Sequence, residues 1–152
     1  MTLRRKKMKK VLEIRERTLQ DRASVLSQAH EGRAAAQEQA SSAVTQLQQA
    51  AEYRQQLASG AIDVASWIDA EQWLIQRSRQ NTVAQTRLQG AEDLVVQAFG
   101  EVIEARSNVK RIELLDRRLA DQETRQQDRL DQKASDEHAQ RKFTMLRRTE
   151  SD

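Results

Sequence analysis

A sevenfold series beginning at Trp67 constrains this chain more than any other feature. Every seventh residue reads Trp67, Leu74, Asn81, Leu88, Val95, Val102, Val109, Asp116, and the companion series three residues on reads Ala70, Arg77, Ala84, Ala91, Ala98, Ala105, Ile112, Leu119. Apolar residues spaced alternately three and four apart form a narrow stripe on a helix, and such a stripe is buried by a matching stripe on a second helix. One lies upstream: Leu12, Leu19, Leu26, Arg33, Ala40, Leu47 and Arg54, accompanied by Ala29, Ala36, Ala43, Ala50 and Leu57. A thick globular core is excluded by composition, because only 3% of the 152 residues are aromatic and 32% are charged. Proline is absent, so no helix is forced to break.

The chain still has to turn back. Of Gly32, Gly60, Gly90 and Gly100, only Gly60 stands among other stop signals: Ser59 precedes it, and Asp63 can accept N–H bonds from a following first turn. The expected fold is all-α, a single domain made of a long antiparallel two-helix coiled-coil hairpin. Helix 1 is placed at about 4–58, the turn at 59–62 and helix 2 at about 63–145. Folding there pairs positions whose numbers add to about 124, so that Ala50 meets Leu74, Ala36 meets Leu88, Ala29 meets Val95, Leu26 meets Ala98 and Leu19 meets Ala105. Large faces small at each of these layers. Arg15, Arg22, Arg33 and Arg54 interrupt the first stripe, and their aliphatic stems can lie on apolar surface while the guanidinium reaches water. The seam is expected to end near 116–119. A polar C-terminal helical overhang, interrupted only by Leu119 and Leu130, follows from about Arg118. The hairpin should be marginal in stability and partly dependent on partners.

Catalytic chemistry has no foothold. His30-Glu31 begins like a zinc-protease motif, but Gly32-Arg33-Ala34 follows and no second histidine completes it, while His138 is isolated. There is no phosphate-binding glycine loop, and a two-helix rod offers no pocket in which a nucleophile, base and acid could converge. No metal or cofactor is expected, and the chain reads as a non-enzyme. Cysteine is absent, which removes disulfides and thiolate sites and fits a cytosolic compartment. No apolar run approaches the ~20 residues of a membrane span, and the basic start lacks the apolar region of a secretory signal. Net charge is only +3, and no aromatic base readers stand among the basic residues, so nucleic acid is not an expected partner.

Three features remain as candidate recognition surfaces. Near the turn, Tyr53, Ile68, Trp73 and Ile75 lie beside or outside the seam. Packing on the flanks would account for them, but two tryptophans so close in a chain poor in aromatics favour a contact surface. Leu94, Phe99, Ile103 and Leu115 also lie off the seam and are read as flank packing. Finally, Arg4, Arg5, Lys6, Lys7, Lys9 and Lys10 precede any acidic residue, and the far end of helix 2 carries Arg117, Arg118, Arg125, Arg129, Arg141, Arg147 and Arg148. These are either solvated charged ends or a surface that docks into an acidic ring or cleft.

Several stretches, taken in order, resemble the flagellar type III export protein family FliJ and, more distantly, the injectisome stalk family YscO. They are Val11 through Arg17, Glu52-Tyr53-Arg54-Gln55-Gln56-Leu57, Trp73-Leu74-Ile75, Lys110 through Arg118, Asp131-Gln132-Lys133 and Asp136-Glu137. The resemblance covers nearly the whole chain. It implies a soluble, non-enzymatic, coiled-coil stalk that engages the hexameric export ATPase, the cytoplasmic domain of the large export-gate membrane protein, and export chaperones that it helps to recycle. By the same resemblance the termini, Arg4 to Lys10 with Arg117 and Arg118, are candidates for the ATPase. Tyr53, Trp73 and Arg77 are candidates for the gate, although Arg77 stands where the family tends to have an apolar residue. The implied location is cytoplasmic, at the inner face of the membrane below the flagellum. An injectisome homologue is one alternative. A generic scaffold that dimerises is another, to be separated from a monomeric hairpin by whether the seam is used internally.

Overall fold

The computed structural model describes residues 3–149, and the side chains of Thr144 and Leu146 through Thr149, Arg147 and Arg148 included, lie outside what it describes. Two helices account for nearly all of it: α1, Leu3–Ala58, and α2, Val64–Thr149. They pack antiparallel as a helical hairpin, the architecture that the two sevenfold stripes predict.

The turn is built by hydrogen bonds. Ser59 closes α1, its N–H donating to the Gln56 carbonyl at 3.2 Å and its hydroxyl to the same oxygen at 2.8 Å. Asp63 opens α2: its carboxylate accepts the Ser66 N–H at 3.2 Å and the Ser66 hydroxyl at 2.6 Å, while its carbonyl takes the Trp67 N–H at 3.0 Å. The Ser66 N–H is one of the donors that the first helical turn leaves unpaired, and the Asp63 carboxylate satisfies it. The Ser66 hydroxyl first, then the Ser66 and Ala65 N–H groups, hold the Asp63 carboxyl below its ordinary range. No described glycine has a positive φ. Gly60 therefore marks the turn without supplying the left-handed cap that glycine commonly provides.

The packing divides into two units, one formed by Thr18–Ala105 and the other by the two ends of the chain, up to Arg17 and from Arg106. In the Thr18–Ala105 unit, the cross-helix pairs Arg22–Glu101 and Gln46–Arg77 have residue numbers adding to 123, and Arg54–Glu71 to 125. The register is thus the one that places Ala50 beside Leu74. Every member of both α2 series in this unit, from Trp67 to Ala105, is buried or half-buried. On α1 the covered seam positions are Leu19, Leu26, Ala29, Ala36, Ala40, Ala43, Leu47, Ala50, Arg54 and Leu57, with Thr18 and Gln46 half-buried beside them, while Arg22 and Arg33 are exposed. The buried side chains of this unit are all alanine: Ala40, Ala50, Ala70, Ala98 and Ala105. A seam of methyl groups brings the two backbones close and leaves larger residues to fill the sides.

The other unit pairs the start of α1 with the region of α2 after Arg106. Met8 and Leu12 are half-buried, Val109 is buried and Ile112 half-buried. Half-buried positions continue past Arg118 through Leu119, Ala120 and Glu123. Arg5 explains this. Its Nε donates to the Asp116 carboxylate at 3.1 Å, and its Nη1 lies 3.6 Å from Glu123. Arg5 lies seven residues before Leu12, and Glu123 lies seven after Asp116, so both stripes continue in charged form. The Asp116 hydrogen bond raises the Arg5 pKa further above its already high value. From Thr124 to Phe143, α2 runs on as a helix whose side chains are all exposed.

Candidate partner-binding surfaces

Near the turn the seam is wrapped by aromatic and guanidinium groups on both sides. Tyr53 on α1 and Trp73 on α2 flank the same edge of the seam, and their rings meet edge to face, with centroids 5.8 Å apart and planes at 72°. Such a pair is worth about 0.5–1.5 kcal/mol beyond the area it buries. Trp73 is half-buried, while Tyr53 keeps 43% of its surface exposed. Arg77, one turn after Trp73, lays its guanidinium 5.9 Å from the Trp73 ring centre. Its Nη1 donates to the side-chain carbonyls of Gln46 at 2.6 Å and Gln80 at 2.8 Å. Its Nε is buried without a hydrogen-bond partner among the described residues, an arrangement that costs about 1–3 kcal/mol. Tyr53, Trp73 and Arg77, grouped in the sequence as candidates for one partner, thus lie together in one patch.

A second cluster stabilises the hairpin end. Arg54 lies 5.2 Å from the Trp67 ring centre, and its Nε is 2.6 Å from Glu71. That contact is an ion pair rather than an aligned hydrogen bond, since the same Nε lacks a hydrogen-bond partner. The Arg54 stem fills the seam layer opposite Ala70 and its charge leaves sideways, the behaviour expected of an arginine in an apolar stripe. Ile68 and Ile75 each remain 50% exposed.

The basic N-terminus does not act as one set. Arg4, Lys6, Lys7, Lys9 and Lys10 are exposed, whereas Arg5 is half-buried and held by Asp116 and Glu123. Arg117 and Arg118 are exposed on α2. The apolar spacing ends the seam near 116–119, whereas the structure carries it further through the pairing of Arg5 with Asp116 and Glu123. The signal was present, since basic Arg5 and acidic Asp116 and Glu123 all fall on the continued sevenfold series.

Among the described residues no His, Cys, Asp and Glu group could hold a metal ion, and no helix is long and apolar enough to cross a membrane. What the arrangement offers is surface: an aromatic and cationic patch near the turn, and a cationic edge at the two ends of the chain. The class is that of antiparallel coiled-coil hairpins that work by contact. A family model described as the flagellar FliJ protein matches residues 4–148, and the chain belongs to that family. It is therefore a non-catalytic component of the flagellar export apparatus, a coiled-coil stalk linking the export ATPase and the export gate. Neither the curated proteins nor the solved structures compared with the chain give a match.

Proposed function

We propose that the chain works as a monomeric stalk whose two charged and aromatic surfaces serve different partners. The Tyr53, Trp73 and Arg77 patch engages the cytoplasmic domain of the large export-gate membrane protein. The exposed cations Arg4, Lys6, Lys7, Lys9 and Lys10, with Arg117 and Arg118, engage the hexameric export ATPase. Arg5 belongs to that region of the chain and acts by holding α1 to α2. Export chaperones are further partners, and the place of action is the cytoplasmic face of the membrane at the flagellar base.

The patch near the turn carries this reading. A seam arginine with a buried, unpartnered Nε beside a half-exposed aromatic pair costs folding energy. The same arrangement presents a cation and two ring edges to a partner, the residue types that dominate interface energetics. Because α1 and α2 bury each other's stripes, the seam is not available for dimerisation, which supports a monomer. An asymmetric shaft among identical subunits contacts them unequally and can bias their nucleotide states, so binding and turnover become coupled.

The test is turnover of the cognate export ATPase, titrated with this protein and followed together with hexamer assembly. Stimulation with ring formation is expected. A well-folded hairpin that neither stimulates nor co-elutes with the ATPase would refute the stalk reading. A Tyr53→Ala, Trp73→Ala variant that still binds the gate domain normally would refute the assignment of the patch.

A further inference from the structure

Phe99, Ile103 and Leu94 do not pack on the flanks of the core as their sequence positions suggest. Val96, Phe99 and Ile103 fall at i, i+3 and i+7 on one side of α2 and are 72%, 54% and 54% exposed. Gly100 lies beside them, and a Cβ built there meets nothing within 4 Å. The heptad register puts Ala23 and Ser27 of α1 on this same side, both exposed and too small to cover Phe99. The result is an open apolar stripe inside the Thr18–Ala105 unit.

Its borders on α2 are mainly acidic, with one cation, Arg106, following Ile103 by three residues at the far end. Between Arg87 and Arg106 the chain contains Glu92, Asp93, Glu101 and Glu104 and no lysine or arginine. Glu101 is paired with Arg22. Glu92 stands one turn before Val96 on the stripe itself, and Asp93 and Glu104 border its solvent side.

We propose that this face is a docking site for a basic amphipathic helix of another protein. Its apolar residues at i, i+3 or i+4 and i+7 pack on Val96, Phe99 and Ile103, close to the backbone at Gly100. Its lysines or arginines meet Glu92, Asp93 and Glu104. Apolar anchoring within a ring of complementary charge gives both affinity and orientation. A second copy of this chain is the less fitting occupant, because like acidic borders would face each other. The proposal does not depend on the gate or ATPase assignments.

The probe is a labelled helical peptide of about 18 residues, built only of leucine and lysine with leucine at the i, i+3, i+4, i+7 positions. Binding to the full chain is read by fluorescence anisotropy. Saturable binding is expected, weakened about tenfold or more by Phe99→Ala with Ile103→Ala, and also by Glu92→Gln, Asp93→Asn and Glu104→Gln together. The charge variant leaves the apolar stripe intact, and circular dichroism verifies folding of both. Absence of binding, or binding that neither variant weakens, overturns the proposal. So does equal, Phe99-dependent binding of the matching leucine and glutamate peptide. Sedimentation showing a dimer that Phe99→Ala with Ile103→Ala dissociates would assign the face to a second copy and overturn it as well.

Discussion

Replacing Ala50 with leucine tests the central feature of this fold, that the two backbones approach closely. Ala50 has no exposed surface, and its register partner is Leu74. Towards the turn, the next layers hold Arg54 with Ala70, then Leu57 with Trp67, and the chain reverses within the five residues between Ala58 and Val64. The helices cannot part locally without breaking the Arg54–Glu71 pair and the stacking of Arg54 on Trp67. An isobutyl group in place of a methyl must then be accommodated by off-rotamer side chains or a backbone shift, costing about 1–3 kcal/mol. For a chain of this size that lowers the thermal midpoint by roughly 2–4 °C for each kcal/mol, so a fall of about 5 °C is expected. The control is Ala35→Leu, on an exposed face of α1, which should stay within about 0.5 kcal/mol of the parent. Thermal unfolding followed at the helical circular dichroism band measures both. In a roomier coiled coil, leucine at a seam position adds buried apolar area and raises stability. A midpoint for Ala50→Leu equal to or above that of the parent would therefore refute the close-packed seam.

Other perturbations address the turn, the ends and the patch. Asp63→Ala removes the cap of α2 and should lower the thermal midpoint. Because the folded Asp63 pKa lies below its unfolded value, its contribution is complete above the ordinary carboxylate range and is lost as pH falls through the depressed value. The parent should therefore lose stability relative to Asp63→Ala on acidification, and a gap between them that does not narrow would contradict the capping role. Arg5→Ala should loosen the pairing of the chain ends, read as faster amide exchange over residues 3–12 and 116–123, with protection near the turn unchanged. Tyr53→Ala with Trp73→Ala should leave helicity nearly intact while impairing motility; global unfolding would show that the pair serves the fold alone. Removal of residues 1–10 should weaken ATPase binding and make the residual binding less sensitive to salt, and unchanged binding would dispose of terminal docking.

The sequence carries the fold class in its spacing. Two sevenfold stripes with a single plausible reversal between them admit few architectures, and the complementarity of alanine to leucine or valine across a fold-back selects the register. Helix periodicity is local, so it can be read without coordinates. Membership of the FliJ family was legible for a related reason, since several short blocks occur in order along nearly the whole chain. The candidate residues near the turn are also visible as one group, though not the contacts between them. Arg77 lies four residues after Trp73 on the same helix, so its approach to the ring follows from helical spacing; only the packed hairpin brings Tyr53 of α1 against Trp73 of α2.

What a charged residue does at a seam position was decided by tertiary structure alone. Arg22 and Arg33 leave the seam, Arg54 and Arg77 stay and lie against tryptophans, and Arg5 continues it by pairing with Asp116 and Glu123. Arg5, Arg33 and Arg54 share one sevenfold series and Arg22 and Arg77 fall on companion series, yet within each series the outcomes differ, so the spacing does not separate them; the neighbours across the interface do. The same holds for Phe99. An off-seam phenylalanine packs as a flank when the opposite helix supplies a side chain long enough to reach it. Here the opposite helix presents Ala23 and Ser27, and Phe99 is left 54% exposed.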